Sequence, residues 1–399
     1  MEIGQYYRNT WAEIDLDAIK YNIQQVKKNL KKETHLFAVV KANAYGHGAK
    51  EVAQVALESG ADYLAVALLD EAIELREHGI DAPILILGPI RPADVKIAAK
   101  YDVTVTVFQA EWVKKASQFL YNQSVNIHIK VDSGMGRIGI RSKQEAYELV
   151  AELKQHPEFR VEGLFTHFAT ADAKDLTYFH HQVHTFKEMI RWFAEWQFNI
   201  PIVHISNSAA TLRFPSLQYN GVRFGISMYG LSPSLEMKKE LPFALKPALS
   251  LHTKITHIKR LKKGEKVSYG ATYEAKEDEW IATVPIGYAD GWIRKLSNSE
   301  VLVEGERVPI VGRICMDQMM IAVKKERPLD TVVTLIGQQG KEEITTDEVA
   351  KRLETINYEI TCMISARVPR VFVKNRQVYQ IENAILTQIP RENRDIGEN

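Results

Sequence analysis

The sequence predicts an α/β protein: a (β/α)8 barrel followed by a mostly β C-terminal domain. Three observations carry that reading. Strand signatures recur with centres at Ala38, Leu64, Leu85, Val105, Ile129, Leu164, Val203 and Phe224, and amphipathic stretches such as 49–59, 109–120, 142–155 and 178–198 lie between most of them. Strand and helix in alternation build a parallel sheet, and eight strands in about 230 residues match the size of a closed barrel. No Gly-x-Gly-x-x-Gly follows the first strand, which disfavours the open, doubly wound alternative. From about Leu241 the texture changes to short strands parted by turns such as Lys263-Gly264 and Glu304-Gly305-Glu306.

In chain order, Trp11–Leu16 alternates apolar and polar residues and reads as a half-buried strand, one that could pair with the C-terminal domain. Asp17 can cap a following helix whose Ile19, Ile23, Val26 and Leu30 share one face. Leu36–Val40 is a short apolar run with two adjacent valines, a buried strand. Lys41 stands where it ends, Gly46 and Gly48 turn the chain, and a helical pattern starts at Ala49. The barrel is expected over residues 1–240 and the β domain over 241–388. In the latter, strands are expected at His252–Ile258, Trp280–Pro285, Val301–Glu304, Met319–Val323, Thr331–Ile336 and Val371–Val373, with one helix at Thr346–Thr355. Residues 389–399 read as a polar, frayed tail.

Composition narrows the function classes. With 399 residues, 45% hydrophobic and 25% charged, the chain is ordinary globular material for two domains. A net charge of +1 gives no electrostatic case for nucleic acid or an anionic membrane. The start lacks a basic-then-apolar signal, and the runs Leu64–Leu69 and Ile84–Leu87 are too short to span a bilayer. Two cysteines, Cys315 and Cys362, build no disulfide scaffold, so a reduced, cytoplasmic setting is expected.

In a barrel, chemistry sits at the carboxyl ends of the strands. A lysine there is costly to desolvate, yet desolvation lowers its pKa and frees a nucleophilic amine. From that stretch alone, Lys41 serves equally well as a catalytic amine or as a side chain reaching out to solvent. The fifth strand ends in Lys130-Val-Asp132 and runs on to Gly134-Met-Gly-Arg137; the sixth ends in Thr166-His167; the seventh enters Asn207-Ser208; the eighth carries Arg223-Phe-Gly225-Ile226. The last two loops form the usual phosphate site of such barrels. Ser208 at a helix start and a close backbone approach at Gly225 suit a phosphate, although a helix cap and a tight turn are the bland alternatives. With Lys41 opposite, they suggest a phosphorylated carbonyl cofactor. Pyridoxal phosphate needs a lysine, a phosphate cradle and a partner for its ring nitrogen. Arg223 can only donate, so the ring nitrogen facing it must accept and stays unprotonated. His167 could hold Arg223, or be a core histidine.

At this point the motifs resemble the alanine racemase family. Lys41-Ala-Asn-Ala-Tyr-Gly-His-Gly, Gly134-Met-Gly-Arg137-Ile-Gly, Asn207-Ser-Ala-Ala and Val222-Arg-Phe-Gly-Ile stand in the family's order, as do Val267-Ser-Tyr269-Gly-Ala-Thr, Gly287-Tyr-Ala-Asp-Gly, Gly312-Arg-Ile-Cys-Met316-Asp and Arg367-Val-Pro-Arg. The likeness spans about residues 8 to 384. It implies a pyridoxal 5'-phosphate enzyme acting as a head-to-tail homodimer with shared sites, interconverting L- and D-alanine by a two-base mechanism and supplying D-alanine for peptidoglycan. It also implies roles. Lys41 would carry the cofactor and be one acid/base; Tyr269 of the other subunit would be the opposite one. Tyr45, Ser208, Gly225, Ile226 and Tyr358 would hold the phosphate. Arg223 would face the ring nitrogen with His167 behind it. Arg137 would touch the cofactor and the substrate carboxylate, and the Met316 backbone N–H of the other subunit would bind that carboxylate. Lys130 matches a position that is N6-carboxylated in part of the family. Asp172, Tyr288, Arg294 and Arg313 would line the entrance. No metal ligand is assigned.

Racemisation takes Cα–H from one face and returns it to the other, so two groups must flank one carbon. A phenol of ordinary pKa, about 10, is a poor base near neutrality and would need cations around it. Without the resemblance, Tyr269 would read as a strand tyrosine, Met316 as core and Lys130 as an ion-pair partner of Asp132 or another carboxylate. Rival readings are a basic-amino-acid decarboxylase of the same fold, a serine or broader-specificity racemase, and a non-catalytic cofactor carrier. A decarboxylase must leave free the carboxylate that Arg137 is placed to clamp.

Overall fold

The computed structural model describes residues 5–387. The tail expected at 389–399 lies outside them. Strand β1 (Thr10–Asp15) alternates buried and more exposed positions, as its sequence predicts. It runs straight into the helix Leu16–Lys28. The cap is therefore Asp15, whose Oδ1 accepts the Ala18 N–H at 2.9 Å, and not the expected Asp17, whose Oδ2 instead accepts the Asn375 N–H at 2.6 Å. A capping residue needs extended backbone, which the last strand residue has and Asp17 does not.

Each expected barrel strand is present: β2 (His35–Val39), β3 (Tyr63–Val66), β4 (Ile84–Ile86), β5 (Thr104–Val107), β6 (Val125–Lys130), β7 (Phe159–Phe165), β8 (Ile202–Ser206) and β9 (Gly221–Phe224). They are parallel, and β9 closes on β2 with His35 opposite Gly221 and Ala38 opposite Phe224. The apolar runs of β2, β3 and β4 suit strands covered on both faces. Inside, Phe37 stacks on Tyr63 at 4.4 Å and on His204 at 4.8 Å, and Phe165 covers the other side of His204, also at 4.8 Å. Register places Lys130 beside Phe165, and Phe165 beside His204.

By packing, the chain divides into two units. The barrel unit comprises Ile19–Ala44 and Ala49–Lys246; the other comprises the residues up to Ala18, Tyr45–Gly48 and those from Pro247. The second unit is built on a largely antiparallel sheet. Its spatial order is His257–Leu261, Glu279–Val284, Met319–Val323, Glu306–Val311, Glu300–Val303, Val332–Gln339, β10 (Leu249–Lys254), β1, Arg370–Lys374 and Gln377–Glu382. So β1 does pair there, with β10 on one side and, in parallel, with Arg370–Lys374 on the other. The run expected as one strand over His252–Ile258 is broken between Lys254 and His257. The helix Thr346–Leu353 matches expectation; the helix Asn357–Met363 after it was not read. Among the described residues no helix is long and apolar enough to cross a membrane.

Candidate active site

Lys41 follows the carboxyl end of β2, and the turn it opens has an uncommon shape. Ala42, Asn43, Ala44 and Tyr45 are all left-handed, with φ of 53°, 51°, 53° and 53°. Such a conformation costs an L-residue about 1–2 kcal/mol each, so neighbours must hold it. They do: Ala44 N–H donates to the Val40 carbonyl at 2.8 Å, Ala42 N–H to Glu71 Oε1 at 2.6 Å, and Ala49 N–H to Asn43 Oδ1 at 2.7 Å. The other Glu71 oxygen accepts from the Ala67 and Leu68 N–H groups, so one carboxylate ties two strand-end turns together.

Around the carboxyl end of the barrel, cations outnumber anions. Burial, then Arg223, Lys130, Arg137 and Lys41 in turn, push His167 well below the ordinary imidazole range, so it stays neutral. Lys130 is buried, with Nζ 4.5 Å from the centre of the Phe165 ring and no hydrogen-bond partner among the described residues. Burial, then Arg223 and Arg137, hold its ammonium well below the usual range. The ion pair with Asp132 does not form: that carboxylate accepts from the Gly134 and Gly136 N–H groups at 3.0 Å. Asp132 thereby shapes the loop that leads to the exposed Arg137.

Arg223 is fully surrounded. Its Nη1 donates to His204 Nδ1 at 2.7 Å, and its Nη2 to the Thr166 carbonyl at 2.7 Å and the Ile205 carbonyl at 3.1 Å. His167 Nδ1 is farther, 3.4 Å from Nη2, so the principal imidazole partner is His204. Burial, then Arg137, pulls Arg223 down to about 9. It remains a cation at neutral pH.

The contact to His204 sets a directed chain through the barrel. A guanidinium only donates, so His204 Nδ1 accepts and its proton sits on Nε2. That Nε2–H donates to His128 Nδ1 at 2.9 Å, which leaves His128 Nε2–H to donate to Glu162 Oε2 at 3.1 Å. Tyr63 and Thr104 also donate to the Glu162 carboxylate. Burial alone would raise Glu162, but these bonds, first that of His128, hold it below its ordinary value. A Cβ at Gly163 would come within 2.5 Å of the His128 ring, so only glycine admits the imidazole there. Sequence reading assigns His128 and His204 no role. Two histidines at inward positions on buried strands were the available signal.

Ser208 and Gly225 do come together: Gly225 N–H donates to Ser208 Oγ at 2.8 Å. The helix cap is Asn207, which accepts the Ala210 N–H at 3.0 Å, so the Ser208 hydroxyl is spared for another use. Ile226 opens the short turn that follows. Asp172 is half-buried, its carboxyl raised by burial and then by Glu236. These groups fit pyridoxal phosphate: an amine at a strand end, a hydroxyl against a backbone N–H at the phosphate loops, and an arginine whose Nη atoms are committed elsewhere while Nε–H has no acceptor among the described residues.

The second unit holds the other expected residues. Tyr45 is buried with its ring 6.1 Å from that of Tyr358, and burial, then Cys362, raises its phenol. Tyr269 is 71% exposed and Met316 52%. Arg294 and Arg313 line one cavity of about 540 Å³ together with Lys295. Tyr288 and Met316 lie on adjoining turns, joined by Tyr288 N–H to the Cys315 carbonyl at 3.0 Å and Ala289 N–H to the Met316 carbonyl at 3.1 Å.

Comparison with known proteins agrees with this chemistry. The family model described as "Alanine racemase, N-terminal domain" matches residues 14–233, and that described as "Alanine racemase, C-terminal domain" matches 248–372. An alanine racemase of Anoxybacillus flavithermus is 54% identical, covering 96% of this chain and 99% of its own. One of Geobacillus stearothermophilus is 53% identical, covering 96% and 98%. The crystal structure of alanine racemase from Bacillus anthracis with bound L-Ala-P superposes with a TM-score of 0.95 at 53% identity, covering 96% of this chain and 100% of that one. With both family models matched in order along the chain and relatives more than half identical over nearly its full length, the chain belongs to the alanine racemase family of pyridoxal-5'-phosphate-dependent amino-acid racemases.

Proposed function

We propose that this enzyme interconverts L- and D-alanine by two proton transfers on opposite faces of Cα, using Lys41 and, from a second copy of the chain, Tyr269. The observation that carries the reading is the gathering of Lys41, Lys130, Arg137 and Arg223 around His167, close enough to hold that imidazole neutral, with the Ser208–Gly225 pair in the phosphate loops. The cofactor, when bound, withdraws electrons from the substrate and acidifies its Cα–H bond. Lys41 would hold the cofactor, and Ser208, Gly225, Ile226, Tyr45 and Tyr358 would hold its phosphate. Arg223 would donate to the ring nitrogen and keep it an acceptor. Neutral His167 and His204 add no charge beside it.

Arg137 and the Met316 N–H fix the substrate carboxylate, which orients Cα–H between the two bases. The Lys41 amine takes or returns the proton on one face, the Tyr269 phenol on the other. Exposure of Tyr269 and Met316 supports their service to a partner subunit in a head-to-tail homodimer. The functional division near residue 240 then separates a barrel that holds the cofactor from a β domain that completes the partner's site. Asp172, Tyr288, Arg294 and Arg313 line the way in. The setting is the cytoplasm, where D-alanine is supplied for peptidoglycan.

The test is incubation of the purified holoenzyme with L-alanine in heavy water, alongside serine and larger amino acids. D-alanine carrying deuterium at Cα is expected. Release of CO2 without D-amino acid overturns the reading, and equal turnover of serine removes alanine as the specific substrate.

A further inference from the structure

Arg8, near the start of the chain, has no place in the roles above, yet it makes a two-pronged pair with the most enclosed carboxylate of the second unit's site loops. Nη1 and Nη2 donate to Asp290 Oδ1 and Oδ2 at 2.7 and 3.0 Å, and the Asp290 side chain is 0% exposed. The same guanidinium donates to the carbonyls of Pro285 at 2.8 Å and Arg367 at 3.0 Å. Asp290 in turn accepts the Gly287 N–H at 3.1 Å, which closes the turn that carries Tyr288. Arg367 reaches both carboxylates: its Nε lies 3.7 Å from Asp290 Oδ1, and its Nη2 donates to Asp317 Oδ1 at 2.7 Å.

Asp317 is the residue after Met316. The Cys315–Asp317 segment is thus gripped from two sides. On one, Tyr288 and Ala289 N–H groups donate to its carbonyls. On the other, Arg367 holds the Asp317 side chain. Both grips lead back to Asp290 and so to Arg8. The fit is close, since a side chain at Gly287 would overlap the Cys315 and Met316 carbonyl oxygens.

We infer that Arg8, Asp290, Arg367 and Asp317 form a charged brace that positions the Met316 backbone N–H for the substrate carboxylate, with Arg8 as a positioning residue. The inference rests on the reading of Met316 proposed above. A single N–H donor has one useful direction, and the turn that presents it has no regular strand or helix to aim it. The brace supplies that aim. Removing Arg8 leaves Asp290 buried with its charge unmatched on that side, so the Gly287 turn relaxes and the Cys315–Asp317 segment moves with it.

The experiment uses holoenzyme labelled with [15N]methionine, which has nine methionines to resolve, and follows the Met316 amide by transverse-relaxation-optimised NMR during titration with propionate. Propionate carries the carboxylate and cannot react. In the wild type the Met316 amide should shift with saturation. In Arg8→Gln, and separately in Asp317→Asn, the propionate Kd should rise about tenfold. KM for alanine should rise in parallel while kcat stays within about twofold, the pattern of lost uniform binding. Asp317→Asn alters an exposed side chain and serves if Arg8→Gln does not fold. A Met316 amide unmoved by propionate in the wild type overturns the carboxylate reading and this inference with it. An amide that shifts in the wild type and retains the same Kd in the variants overturns the brace alone.

Discussion

Lys130 shows how one residue's surroundings decide its chemistry. Its amine sits over the Phe165 ring without a hydrogen-bond partner among the described residues, and burial beside Arg223 and Arg137 favours the uncharged form. An uncharged amine is the form that adds to CO2: nitrogen bonds to carbon, a proton leaves to solvent, and an anionic carbamate results. That anion would relieve the crowd of cations and offer Arg137 a two-pronged partner. Holoenzyme equilibrated with [13C]bicarbonate should therefore show one protected carbamate carbonyl signal by 13C NMR, absent in Lys130→Ala. A spectrum identical in the two proteins would sink the proposal. The sequence placed this lysine at a strand end; its lowered pKa follows first from burial and then from Arg223 and Arg137, which folding brings near it.

Strand β10 carries a histidine whose setting makes stability depend on pH. His252 lies between β1 and Val332–Gln339, donates or accepts with Thr334 and Ser250 at 3.0 and 2.9 Å, and sits 5.4 Å from the Trp11 ring. Burial lowers it to about 4. An unfolded histidine titrates near about 6.5, so below that pH the unfolded chain binds a proton that the folded one refuses. The contribution of neutral His252 is complete above about pH 6.5 and declines as pH falls toward 4. Relative to His252→Gln, the wild type should lose up to about 3 kcal/mol between pH 7 and pH 4. Urea unfolding of both proteins at several pH values in that window reads this out, and parallel curves would refute it. Elements also show where sequence reading stops. Strand signatures announced every barrel strand, but four left-handed residues after Lys41 had no local signal, because Glu71, Val40 and Ala49 impose them.

For the whole molecule, the bases are split. Lys41 belongs to the barrel unit and Tyr269 to the other, and the proposed dimer joins them across subunits. Lys41→Ala and Tyr269→Phe should each be inactive alone. After subunit exchange, a mixed dimer would hold one doubly defective site and one intact site. Random exchange of equal amounts makes roughly half the dimers mixed, so up to about a quarter of wild-type activity should return. No recovery, with exchange verified by mass spectrometry, would place both bases in one chain.

The amino-acid order alone was enough to read a (β/α)8 barrel followed by a β domain, because burial on both faces leaves apolar runs and regular spacing in the chain. It also drew attention to Lys41, Ser208, Arg223 and Gly225 at strand ends, while Tyr269 and Met316 entered only through the resemblance to a family. Three-dimensional packing decided the rest. Arg223 meets His204 more closely than His167, Ser208 meets Gly225 while Asn207 caps the helix, and Arg8 grips Asp290 across 282 positions. Those choices depend on which donors and acceptors lie within about 3 Å of one another after folding, and hydrogen bonds between distant residues leave no periodicity in a sequence.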